Sequence, residues 1–138
     1  MKIGFTCGVF DLFHAGHVLM LMECKENCDY LIVAINSAII FNPEINFNKN
    51  IPVFSIKERE MILNSCKYID KVIIYSSEEE LINIMEQEHI DIRFLGDDYN
   101  GKHITESNKK IEIKYINRDH GRSTSGYINT ILSKYANL

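Results

Sequence analysis

The chain alternates between short apolar runs and amphipathic stretches, the pattern of strands taking turns with helices. Lys2 to Cys7 alternates and is rich in β-formers, which predicts a strand. Ala15 to Asn27 sets Val18, Leu19, Leu21, Met22 and Cys24 on a broad apolar face, with Glu23, Lys25 and Glu26 outside it, and predicts an amphipathic helix. Tyr30 to Ile35 is an unbroken apolar run, as expected of a strand covered on both faces. The three pieces make a βαβ unit.

Between Asn36 and Phe54 the pattern lapses into a stretch with five asparagines and both prolines. A loop of that length in a compact domain is more often functional than idle. Order resumes where Ser55, with Glu58 three residues on, forms a capping box for a helix reaching about Cys66. Lys71 to Tyr75 is a predicted strand, and Ser77 caps a helix to Glu88 with Glu78, Glu79 and Glu80 in its first turn. Ile92 to Leu95 is a strand ending at Gly96, Ile111 to Ile116 is another, and a last helix runs from about Ser125 to Tyr135.

This alternation predicts an α/β fold, a Rossmann-like five-stranded parallel sheet with helices on both faces, in one domain over residues 1–138. Ligands of such sheets bind beyond the carboxyl ends of the strands. The candidate stretches are therefore Cys7–His17, Asn36–Phe54, Gly96–Lys102 and Arg118–Ser125.

Composition narrows the classes. The 138 residues are 46% hydrophobic and 25% charged, an ordinary globular balance. A net charge of -4 lacks the basic footprint of a nucleic-acid binder. No apolar run approaches the roughly 18 residues of a membrane span. The four cysteines, with no leader-like segment before them, do not read as a disulfide framework, and a reduced cytoplasmic setting is expected.

The segment Gly8-Val9-Phe10-Asp11-Leu12-Phe13-His14-Ala15-Gly16-His17 joins the first strand to the first helix. It is neither a dinucleotide fingerprint nor a P-loop. Its feature is His14-x-Gly16-His17 at a helix start, where open N–H groups and the positive dipole end favour phosphate. Gly16 removes a side chain where a phosphate would come close. A satisfied pair of histidines, or a zinc site completed by a cysteine, is the competing reading. Cys24 and Cys28 lie well along the helix and read as core packing.

GVFDLFHAGH resembles the HxGH signature of the nucleotidylyltransferase superfamily, and in particular its glycerol-3-phosphate cytidylyltransferase group. The likeness extends through Ser55-Ile56-Lys57-Glu58-Arg59, Lys67-Tyr68-Ile69-Asp70, Gly96 to Lys102 (GDDYNGK) and Arg118 to Ser125 (RDHGRSTS). It implies transfer of CMP from CTP to a phosphorylated small metabolite, sn-glycerol 3-phosphate or L-glutamine phosphate, for capsule or wall precursors. It implies catalytic roles for His14, His17, Arg118 and Lys49, and nucleotide contacts from Val9, Phe10, Gly16, Arg59, Gly96, Asp98, Ser123 and Thr124. Asp11, Lys67 and Asp119 are the implied acceptor contacts. Mg2+ would arrive with CTP rather than in a set of protein ligands, and the assembly would be a homodimer. Lys67 stands where the group has arginine, which loses the bidentate fork. Asp119 and His120 replace a Thr-Glu pair, and Asp119 could pair with an amino-acid ammonium. An adenylyltransferase of the same superfamily and a non-catalytic nucleotide sensor are the alternatives.

Overall fold

A computed structural model describes residues 1–37, 51–97, 101, 104–107, 109–117 and 121–137. Its elements follow the sequence pattern in order: β1 (Ile3–Gly8), α1 (Ala15–Glu26), β2 (Tyr30–Asn36), α2 (Ile56–Asn64), β3 (Lys71–Tyr75), α3 (Glu78–Gln87), β4 (Ile92–Gly96), β5 (Glu112–Ile116) and α4 (Thr124–Tyr135). The strands form one sheet in the order β3-β2-β1-β4-β5, and every pairing is parallel. This is the Rossmann-like α/β architecture that the alternation predicts.

β2 explains its own place. All of Leu31, Ile32, Val33, Ala34 and Ile35 are buried, so neither face of this strand meets water. On one face Leu31, Val33 and Ile35 join Leu21 and Cys24 of α1 and Leu63 of α2. On the other, Ile32 and Ala34 join Leu81 and Met85 of α3. Helices thus cover both faces. Close packing leaves no slack at Gly4, where a Cβ would lie 2.7 Å from both Cys28 Sγ and Phe94 Cε2.

The strand order reverses direction at β1, with β2 and β3 to one side and β4 and β5 to the other. The crevice at that switch point, past the carboxyl ends of β1 and β4, is where such sheets bind ligands. The Gly8-to-His14 connection and Gly96 both lie there.

At the opposite edge, Asp70 ties the start of β3 to β2. Its carboxylate accepts from Leu31 N–H at 2.8 Å and from the Lys25 ammonium of α1. Burial works to raise the Asp70 carboxyl, but the bonds from Lys25 and Leu31 outweigh it and hold it below the usual carboxylate range. A lowered carboxyl stabilises the fold above its unfolded value of about 3.9, and that contribution is lost as pH falls through the folded value. Asp70→Asn is expected to lower stability at pH 7 by about 1–2 kcal/mol. Denaturant titrations from pH 7 down to pH 3 should show its deficit against the wild type shrinking below about pH 4.

Candidate active site

The first βα connection is held in an unusual backbone shape. Phe10 and Leu12 have φ of 53° and 49°, left-handed values that side chains other than glycine, Asn and Asp rarely take. Such strain persists only where the surroundings fix it. Here Phe10 is buried, with its ring against Gly8. The carboxylate of Asp11 accepts Val53 N–H at 2.8 Å and Phe54 N–H at 2.9 Å, tying this connection to the entry of α2.

His14 is the N-cap of α1, in extended backbone with φ -141° and ψ 179°. Its Nδ1 accepts the N–H of Gly16 at 3.0 Å, and its own N–H donates to His17 Nδ1 at 3.2 Å. The two imidazoles therefore form a reciprocal capping box, a task usually given to Ser or Thr with Glu or Gln. Because each Nδ1 accepts a backbone proton, each neutral ring carries its own proton on Nε2. Phe13 stacks on His17 with centroids 5.4 Å apart and planes 8° from parallel, and Phe10 flanks it at 5.6 Å. The His14 and His17 centroids are 3.9 Å apart.

The tip of α4 meets this pair. His14 Nε2 lies 3.2 Å from Thr124 Oγ1, and the Thr124 hydroxyl donates to Asp11 O at 3.2 Å. Tyr127, one turn along α4, places its ring 4.9 Å from His14. Ser123 caps α4, its Oγ accepting from Gly126 N–H at 3.1 Å. Gly121, with φ of 70°, makes the left-handed turn before the cap, and a Cβ there would meet nothing within 4 Å, so the backbone alone asks for glycine. Neither α1 nor α4 has an acidic residue in its first turn, whereas α3 has three. Two positive helix ends thus converge at the carboxyl edge of the sheet without acidic side chains in their first turns. The arrangement is suited to an anion with several phosphate groups.

Arg59 stands behind the site. It is buried, with Nε donating to Phe54 O at 3.2 Å and one terminal nitrogen donating to Val9 O at 3.0 Å and Asn36 O at 2.9 Å. Burial pulls its guanidinium below the ordinary value, and the Asp11 carboxylate opposes that shift. Its hydrogen bonds join the ends of β1 and β2 to the entry of α2.

Of the residues expected at the site, His14, His17, Gly16, Val9, Phe10, Asp11, Arg59, Ser123 and Thr124 are brought together, with Gly96 at the neighbouring strand end. Lys67 is not. α2 runs back from the carboxyl edge of the sheet, so Lys67 lies beyond the opposite edge, its ammonium 5.2 Å from the Tyr68 ring centroid. Lys49, Asp98, Arg118 and Asp119 lie outside the described residues. Phe13 and Tyr127, which touch the two imidazoles, are additions that the motif reading lacked.

The described residues hold no group of three or more His, Cys, Asp or Glu placed to bind a metal ion. Cys24 is buried, which pushes its thiol pKa up, and Cys28 Sγ donates to Cys24 O at 3.3 Å. This pair belongs to the core.

The sequence model of the cytidylyltransferase-like family matches residues 5–135. The chain belongs to this family. It is an enzyme of the nucleotidyltransferase kind. It is 34% identical over 126 residues to glycerol-3-phosphate cytidylyltransferase of Bacillus subtilis, covering 91% of this chain and 93% of that protein. It is 36% identical over 133 residues to the bifunctional protein HldE of Wolinella succinogenes, covering 94% of this chain but 27% of that one. Among solved structures, the lipopolysaccharide core biosynthesis protein of Thermoplasma volcanium superposes with a TM-score of 0.61 at 23% identity, over 85% of this chain and 95% of that one. That likeness concerns the fold.

Proposed function

We propose that this cytidylyltransferase-like enzyme transfers CMP from CTP to the phosphate of a small phosphorylated metabolite and releases pyrophosphate. The observation that carries the reading is the 3.2 Å approach of His14 Nε2 to Thr124 Oγ1, which brings the two helix tips together. A phosphate monoester is largely dianionic at neutral pH, its second pKa being about 6, so the acceptor oxygen needs no general base. That oxygen forms a bond to the α-phosphorus while the bond to the bridging oxygen breaks, and the electron pair leaves with pyrophosphate. The protein's work is alignment and neutralisation of charge.

In this reading the Nε2–H groups of His14 and His17 bind the α-phosphate as its equatorial oxygens gain charge. Ser123, Thr124 and the open N–H groups of α4 hold the outer phosphates, together with Arg118 and Lys49. Gly16 and Gly96 leave room for the nucleotide, whose ribose and base Val9, Phe10 and Asp98 contact. Asp11 and Arg59 act as positioning residues through the backbone bonds described above. Mg2+ accompanies CTP and neutralises its outer phosphates, a role that suits an ion keeping water and phosphate ligands.

The relatives named for glycerol 3-phosphate, matched over 93% of one chain's length, make sn-glycerol 3-phosphate the first acceptor to test. Asp119 offers a carboxylate for an ammonium-bearing acceptor, and L-glutamine phosphate is the second. Either product would serve as an activated precursor for capsule or wall polymers. Pyrophosphate release from CTP with each acceptor, and from ATP as a control, tests the assignment. Binding of CTP without pyrophosphate release from any phosphorylated acceptor would favour a nucleotide sensor instead.

Thr124→Val keeps the shape of the residue and removes its hydroxyl. The loss of one hydrogen-bonding group at the outer phosphates is expected to raise the CTP KM about three- to tenfold, read from initial rates of pyrophosphate release. A homodimer is the proposed assembly, and what supports it is α4, which buries none of its residues and exposes Ile131 and Leu132. A helix of this length depends on packing for its stability. Light scattering should give twice the 16.0 kDa chain mass, and a monomer at assay concentration would remove the dimer from the account. No helix among the described residues is long and apolar enough to cross a membrane.

A further inference from the structure

Arg93 is the one arginine of β4, and it points away from the nucleotide site. It shares a register position with Phe5 of β1 and Ile113 of β5, on the face of the sheet that α3 covers. It is 5% exposed. One of its terminal nitrogens donates to Thr105 O, and the other lies 3.7 Å from Cys7 Sγ. Its Nε is buried with no hydrogen-bond partner. Among the described residues no carboxylate lies within ion-pair distance of it.

A guanidinium taken out of water without a counter-charge is costly, and buried charges are ordinarily paired. A water molecule could satisfy the Nε–H but would leave the charge unbalanced. Arg93 lines a cavity of about 160 Å3 between α3, the β4–β5 edge and residues 104–107 and 109–111. Lys109 and Lys110 line the same cavity, while Met85, Ile111 and Ile113 give it an apolar side. Glu106 is also on its wall but is exposed, so water screens its charge. Lys109 and Lys110 are exposed as well and screened in the same way, so the positive character of the cavity rests on the buried Arg93. Its volume is close to that of an engineered cavity that takes a benzene-sized molecule, about 150 Å3.

We propose that this cavity is a second ligand site, for a small organic anion whose carboxylate or phosphate head pairs with Arg93. The short apolar body of the ligand packs on Met85, Ile111 and Ile113. The site lies on the α3 face, apart from the junction of α1 and α4, and stands whether or not the protein uses CTP.

The test is thermal unfolding of the full chain with butyrate, and separately with inorganic phosphate, each against chloride at equal ionic strength. The expected result is a rise in Tm of about 3 °C at near-saturating ligand for at least one of the two anions. Butyrate acting alone identifies a carboxylate head with an apolar body; phosphate acting identifies a phosphate head. The butyrate rise should vanish, and the phosphate rise shrink to what the α1–α4 junction alone gives, in Arg93→Met, which keeps the length of the side chain without its charge. If that variant does not fold, Lys110→Ala, at an exposed position, should weaken binding about threefold or more in calorimetry. His14→Asn, at the other site, should leave the butyrate rise unchanged. No rise with either anion, or a rise that is the same in Arg93→Met or in a folded Lys110→Ala, overturns the proposal.

Discussion

His14→Asn should retain the fold and lose turnover by about a hundredfold or more. Asparagine is among the preferred N-cap residues, and its side-chain oxygen can take the Gly16 N–H now held by His14 Nδ1 at 3.0 Å. What asparagine does not supply is a donor where Nε2 lies, 3.2 Å from Thr124 Oγ1. The variant therefore separates the capping role of the imidazole from its chemical role. His17→Ala is expected to fall as far in turnover, but it also removes half of the capping box, so about 1 kcal/mol of stability goes with it. Rates of pyrophosphate release beside denaturant titrations of both variants check the pair. A His14→Asn enzyme of near-normal turnover would remove His14 from the chemistry.

Arg59→Met should be the most destabilising single change at the site, by about 3 kcal/mol or more. The methionine fills the volume but leaves Phe54 O, Val9 O and Asn36 O without their shared donor. Those carbonyls belong to the loop before α2 and to the ends of β1 and β2, so the walls of the crevice lose their common anchor. Activity should fall with the midpoint of unfolding, and low temperature should restore part of both. Arg59→Lys is expected to recover less than half of the loss, since an ammonium cannot reproduce the planar fork. Urea midpoints and activity at 10 °C and 30 °C read both effects.

The fold was legible because its elements are locally consistent. The unbroken run in β2 and the Ser55–Glu58 capping box each gave the right element, with ends displaced by two residues or fewer. Helix ends slipped most, as at α2, which stops at Asn64 where the pattern allowed Cys66. The site was legible as a set of stretches, because a parallel sheet gathers its carboxyl-end connections in one place. What each side chain does there was less so. The bonds of Asp11 to Val53 and Phe54 span more than 40 residues of sequence, and no local pattern reports them. Histidine is not a usual N-cap, so His14 reads from sequence as a ligand while the capping box stays hidden. Lys67 fits the motif but lies at the wrong edge, because a helix that crosses back along the sheet carries the residues after it away from the site. Arg93 is a charge inside the otherwise apolar strand Ile92–Gly96 to which the sequence pattern assigned no role, and it lines a cavity in the structure.

The structure of the protein crystallised with CTP tests the central claim most directly. The α-phosphate is expected within hydrogen-bond distance of His14 Nε2 and His17 Nε2, with the outer phosphates at Ser123 and Thr124 at the tip of α4. A triphosphate bound elsewhere, with His14 still bonded to Thr124 as it is now at 3.2 Å, would contradict it.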